Sequence, residues 1–121
     1  MLVKQKILYH DKKLEALCTD IRKAKQKFPQ KIAEKLYALL TLIDSADCLN
    51  DINMMRRYHL HPLKGERDGQ FAVDIDGRTS GYRLILVPLK NEDEYWCEND
   101  ITVVYQSTKV LLILEVSNHY E

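Results

Sequence analysis

Apolar residues recur along this chain with two different periods, and the change of period divides it. Leu14, Leu17, Cys18, Ile21, Ala24 and Phe28 return at helical spacing, opposite Lys12, Lys13, Lys23 and Lys27. Asp11 is placed to cap the start of this helix, with Glu15 in its first turns. Pro29 ends it and suits the first turn of the next, whose apolar stripe is Ile32, Leu36, Leu39, Leu40 and Ile43. So short a break between two helices predicts an antiparallel helical hairpin. Residues 44–53, DSADCLNDIN, have the composition of a loop with room for one short helical turn.

After Asn53 the period becomes two. Tyr58 to Leu63, Gln70 to Ile75 and Tyr82 to Val87 each read as one strand. In the second, Phe71, Val73 and Ile75 face one way and Gln70, Ala72 and Asp74 the other. All four glycines (Gly65, Gly69, Gly77 and Gly81) separate these segments, and Asp76-Gly77 is a strong turn signal. Pro88 cannot donate in a ladder and is expected to end the third strand. Residues 90–100, KNEDEYWCEND, read as an acidic loop insertion, and Ile101 to Tyr105 as a further extended segment. Val110 to Ser117 is a continuous apolar run suited to a buried central strand. Lys6 to His10 reads as a short first strand. The expected fold is one α+β domain over residues 1–121. It has a short N-terminal strand and an antiparallel two-helix hairpin, packed on one face of a mainly antiparallel sheet of about four strands.

Composition narrows the setting. With 45% apolar and 30% charged residues the chain reads as a soluble globular domain. No apolar run approaches the length that spans a bilayer. The first ten residues, MLVKQKILYH, lack the uninterrupted apolar stretch of an export signal, which places the chain in the cytoplasm by default. Cys18, Cys48 and Cys97 are odd in number and form no C-x-x-C pair, so neither a disulfide framework nor a zinc site is expected. Cys18 lies on the core-facing stripe and reads as a small apolar filler. Net charge is zero but uneven. Residues 1–40 carry ten Lys and Arg against four Asp and Glu, a surplus of six, and residues 41–121 carry eight against fourteen, a deficit of six. The basic helix and the acidic loop are therefore candidate contact surfaces for a partner.

The residues able to do chemistry lie around the predicted strands. His59 and His61 alternate with Tyr58 and Leu60, so both are expected on one face. Residues 56–67 hold Arg56, Arg57, Lys64 and Arg67 against the single acid Glu66. Arg78 and Arg83 lie across the hairpins, and His119 and Tyr120 follow the last strand. Cations with two or three histidines, and no carboxylate cluster, suit a phosphodiester. The cations hold the phosphate. A His or Tyr takes the proton from a ribose 2′-OH and another protonates the leaving oxygen. Neither a metal nor a cofactor is required, and RNA is preferred because the 2′-OH is the nucleophile. Arg83, between Tyr82 and Leu84, must leave an apolar strand to find an anion. A structural pair with Asp74 or Glu115 is the alternative to a phosphate.

These residues also carry a resemblance. Leu60, Leu63-Lys64-Gly65, Arg67, Gly69-Gln70-Phe71, Tyr82-Arg83-Leu84 and Glu115-Val116 with His119 resemble the HigB-type toxins of bacterial toxin–antitoxin modules, in the RelE/ParE superfamily. The preceding helical hairpin fits the same pattern. The resemblance implies the RelE-like fold and ribosome-dependent cleavage of mRNA without a metal. It also implies neutralisation by a cognate antitoxin of the HigA type, a helix-turn-helix protein through which alone operator DNA would be bound. His61 and Lys64 match the family positions that face the scissile phosphate. Arg83 matches the arginine after a strand aromatic, and His119 the histidine of the C-terminal motif. The expected catalytic set is thus His61, Lys64, Arg83 and His119, with Arg56, Arg57, His59, Arg67, Arg78 and Tyr120 along the RNA. Ser117 and Asn118 stand where many members have an acid and a tyrosine, and Tyr120 comes one position late. Two other readings stay open: a gyrase-poisoning toxin of the ParE branch, and a protein that keeps the fold and antitoxin binding without chemistry.

Overall fold

A computed structural model describes residues 6–97 and 100–118 of the 121-residue chain. His119 and Tyr120, two of the expected site residues, lie outside the described residues. The fold is α+β, with five α-helices and a mixed six-stranded sheet among the described residues. In chain order the elements begin with β1 (Lys6–Tyr9), α1 (Lys12–Thr19), α2 (Ile21–Lys27), α3 (Gln30–Ser45) and α4 (Leu49–Asn53). They continue with β2 (His61–Pro62), β3 (Phe71–Asp74), β4 (Tyr82–Asn91), β5 (Glu94–Tyr95), α5 (Ile101–Ser107) and β6 (Val110–Asn118). The sheet order is β1-β6-β4-β3-β2, with β5 also paired to β4. Only β1 and β6 run parallel, Lys6 opposite Val110 through Tyr9 opposite Ile113. The other pairings are antiparallel.

The core lies between the helices and one face of the sheet. Ile32, Leu36, Leu39, Leu40 and Ile43 of α3 are all buried, as their spacing predicts, and they pack with Val73, Leu84, Leu86, Leu111 and Ile113. Cys18 is in this core, and burial pushes its thiol up to about 11, so it stays protonated and inert at neutral pH. Asp11 caps α1 as expected, accepting from the Leu14 N–H at 2.8 Å. β6 lies between β1 and β4, the central place its apolar run predicts. One extra residue, Leu114, bulges from it between the pairs Ile85–Glu115 and Leu86–Ile113.

Six expectations are corrected. The first helix is broken at Asp20, which takes an extended backbone, closes α1 and caps α2 by accepting from the Arg22 N–H. A short acid that bonds the next turn's N–H ends one helix and starts another. Residues 44–53 are mostly helical, because Leu49 and Ile52 are fully buried on α4. Of Tyr58 to Leu63 only His61–Pro62 is strand; Arg56–Tyr58 is a 3-10 turn and His59 turns left-handed. Pro88 does not end β4, which runs on to Asn91. The N–H of Ile75 bonds the Tyr82 carbonyl, so by alternation residues 84, 86 and 88 face the β3 side too. There β3 has already ended, and a missing N–H is tolerated at such an edge. Ile101 to Tyr105 is helix, not strand. Asp100 caps it at the Thr102 N–H, and burial of Val104 and Tyr105 outweighs the strand preference of its β-branched residues. The expected four strands are six, since the two-residue β2 and β5 each add an edge. In residues 70–87 the one helical turn is 3-10, Arg78–Ser80, following Gly77 at φ 72°. No helix among the described residues is long and apolar enough to cross a membrane.

Candidate functional site

The face of the sheet turned away from the helical core carries the site. Register places His61 opposite Ala72, Ala72 opposite Ile85, and Ile85 opposite Glu115, in one row across β2, β3, β4 and β6. Two residues along is the next row, Asp74, Arg83 and Ser117. Residues opposite one another in a ladder share a face, and the intervening Val73, Leu84 and Val116 point into the core.

His59 joins the two rows without belonging to a strand. It closes the 3-10 turn with φ 45° and ψ 51°, the one non-glycine positive φ among the described residues. That conformation is sparsely populated by residues with a Cβ and is held only where the surroundings support it. Two consequences follow. The His59 ring stacks on His61, centroids 4.3 Å apart and planes 27° apart. The His59 carbonyl comes within 2.7 Å of His61 Nδ1. A carbonyl can only accept, so His61 Nδ1 carries the proton and donates it. In the neutral ring Nε2 then holds the free lone pair. The two histidines do come together as expected, through a left-handed turn and not strand alternation.

Under them lies Asp74, 1% exposed. One carboxylate oxygen is 3.7 Å from His59 Nδ1 and the other is 3.7 Å from Arg83 Nε. None of these four atoms has a hydrogen bond within 3.5 Å. Arg83 therefore finds its anion, and it is the structural partner, Asp74. Because the guanidinium is approached through Nε and its side chain is 25% exposed, the far end of the fork remains for a second anion. Burial holds the His59 imidazole below its usual range; the His61 ring and the Arg78 guanidinium push the same way, with Asp74 pulling against them. A histidine with a depressed folded pKa binds fewer protons than the unfolded chain. Stability is then complete above the unfolded value near 6.5 and is lost as pH falls through it. Thermal melts between pH 7.5 and 5.5 should show the wild type losing more stability than His59→Asn, which keeps a residue tolerant of the left-handed backbone. Equal losses would remove His59 as the source.

The remaining expected residues fall into two groups. Arg67 reaches over the same face and pairs with Glu115 at 3.3 Å, while its Nε donates to Gln70 at 2.7 Å. Arg78 stands in the turn beside His59. Arg57 lies over the Tyr58 ring, 4.9 Å from its centroid. Arg56 and Lys64 are exposed, and their side chains have no partner among the described residues. Asp74 is the site residue that the sequence-based set omits. Its signal was a lone acid in FAVDI, on the polar side of the strand, opposite an equally misplaced Arg83. Among the described residues no three His, Cys, Asp or Glu side chains are grouped to hold a metal. No family model matches the chain, and no curated protein matches it.

Proposed function

We propose that this chain is a HigB-type toxin of the RelE/ParE superfamily, acting in the cytoplasm as a ribosome-dependent mRNA endoribonuclease. The observation that carries this reading is His61, its Nδ1 tied to the His59 carbonyl and its Nε2 left to accept a proton, on the sheet face that also holds Arg83. In the reaction His61 Nε2 takes the ribose 2′-OH proton. The 2′-oxygen forms its bond to phosphorus as the bond to the 5′-oxygen breaks, leaving a 2′,3′-cyclic phosphate. The outer end of Arg83, with Lys64, balances the charge that grows on the phosphoryl oxygens. The leaving 5′-oxygen takes a proton from His119 in the scheme the family resemblance implies. Arg56, Arg57, Arg67 and Arg78 line the approach of the RNA backbone, and the His59 ring backs His61. A parallel β1–β6 pair beside an antiparallel β4–β3 ladder, with helices on the opposite face, supports the RelE-like assignment. Neutralisation falls to a cognate helix-turn-helix antitoxin that meets the basic helices α1 and α2 or the acidic segment after β4.

Expression of the chain alone, with mapping of 5′ ends on translating ribosomes, should give new cuts inside coding sequence. Growth arrest with intact mRNA and broken chromosomal DNA would transfer the assignment to the gyrase-poisoning branch. Neither effect would leave a partner-binding protein without chemistry.

A further inference from the structure

A second site lies on the edge of β4, beside Pro62. Along that edge β3 pairs with β4 only from Arg83 to Leu86, and β5 only from Leu89 to Asn91. Val87 and Pro88 lie between these two pairings. They form the floor of a cavity of about 540 Å³, in the range of small-ligand sites. Its walls are Phe71, Tyr95 and Trp96, with Asp68 and Pro62 at the rim.

The lining is built and not merely left over. Trp96 is pinned by its indole N–H, which donates to Thr108 Oγ1 at 3.0 Å. Thr108 is fully buried and donates in turn to the Val104 carbonyl at 2.6 Å. Tyr95 is 64% exposed beside it, so two aromatic faces are presented, one of them rigid. Of the cations in the flanking segments, Arg67 and Lys90 are already paired with Glu115 and Glu94, and Lys64 is exposed without a partner among the described residues. The carboxylates of Asp68 and Asp93 have no partner among the described residues. Aromatic faces beside an uncommitted carboxylate select a planar cation that carries several N–H groups.

The geometry points to a docking site for an arginine side chain of a partner polypeptide. The guanidinium lies over Trp96 and donates to the Asp68 carboxylate. A nucleobase would also stack on Trp96, but its phosphate would meet the Asp68 carboxylate. This site is independent of the nuclease reading, since it uses none of the same residues.

Trp96 is the only tryptophan in the chain, so its emission reports the site alone. Titration of the whole protein at low salt with an acetylated, amidated tetra-arginine peptide should change that emission saturably. The tetra-lysine peptide should bind more weakly. Asp68→Asn, an exposed loop change that spares the core, should weaken tetra-arginine binding roughly tenfold or more. Absence of a saturable change, equal binding by Asp68→Asn, or a response to AMP or CMP in place of the peptide would each overturn the proposal. None of these outcomes depends on whether mRNA is cut.

Discussion

Arg83→Ala should lose both stability and activity, and the two losses should separate in a second variant. Removing the guanidinium leaves the Asp74 carboxylate, 1% exposed, without its nearest cation. Breaking a buried pair from one side costs about 3 kcal/mol or more, which urea denaturation will read. Removing a charge donor from a phosphoryl transition state should slow cleavage by roughly 10²–10³. Asp74→Leu combined with Arg83→Leu removes both charges at once. Its stability should return close to wild type, because apolar replacement of a whole buried pair is often neutral or better. Cleavage should stay lost. If the double variant folds and cuts mRNA at the wild-type rate, Arg83 is a structural residue and the phosphate is held elsewhere. If Arg83→Ala instead keeps full stability, the contact to Asp74 is not an energetic one.

His61→Ala carries the largest expected loss of rate. If His61 is the general base, cleavage should fall by about 10²–10⁴, with folding stability changed by about 1 kcal/mol at most, the value of one hydrogen bond. His59→Asn keeps the left-handed backbone and therefore the carbonyl that orients His61. It loses the ring stack and the approach to Asp74, and should cost about tenfold or less. A His61→Ala protein that cleaves normally while His59→Asn does not would reverse the assignment and make His59 the base. Measuring single-turnover cleavage on programmed ribosomes across pH distinguishes the two.

Much of this molecule could be read from its residues taken in order. The α3 stripe, the strand Phe71–Asp74, the first part of β4 as far as Val87 and the central β6 follow from periodicity, because an amphipathic segment has only one way to bury its apolar face, and the Asp11 cap follows from residue type. The pairing of Arg83 with an acid was legible for the same reason: a charge in an apolar strand must be met. Other features depended on contacts distant in the chain. Ile101–Ser107 is helical because Val104 and Tyr105 are buried there, against the local strand preference of its residues. Pro88 stays in β4 because β3 ends before it, a fact of register and not of residue type. The left-handed turn at His59 has no local signal, since no glycine marks it. It is held by the His61 stack and by Asp74, which belongs to a strand fifteen residues further on. The chain's own order thus specified the layers and most of the charged groups. Tertiary packing alone decided which histidine nitrogen is free, which end of Arg83 is exposed, and that Trp96 closes a cavity beside β4. Each of those depends on a partner that local sequence does not contain.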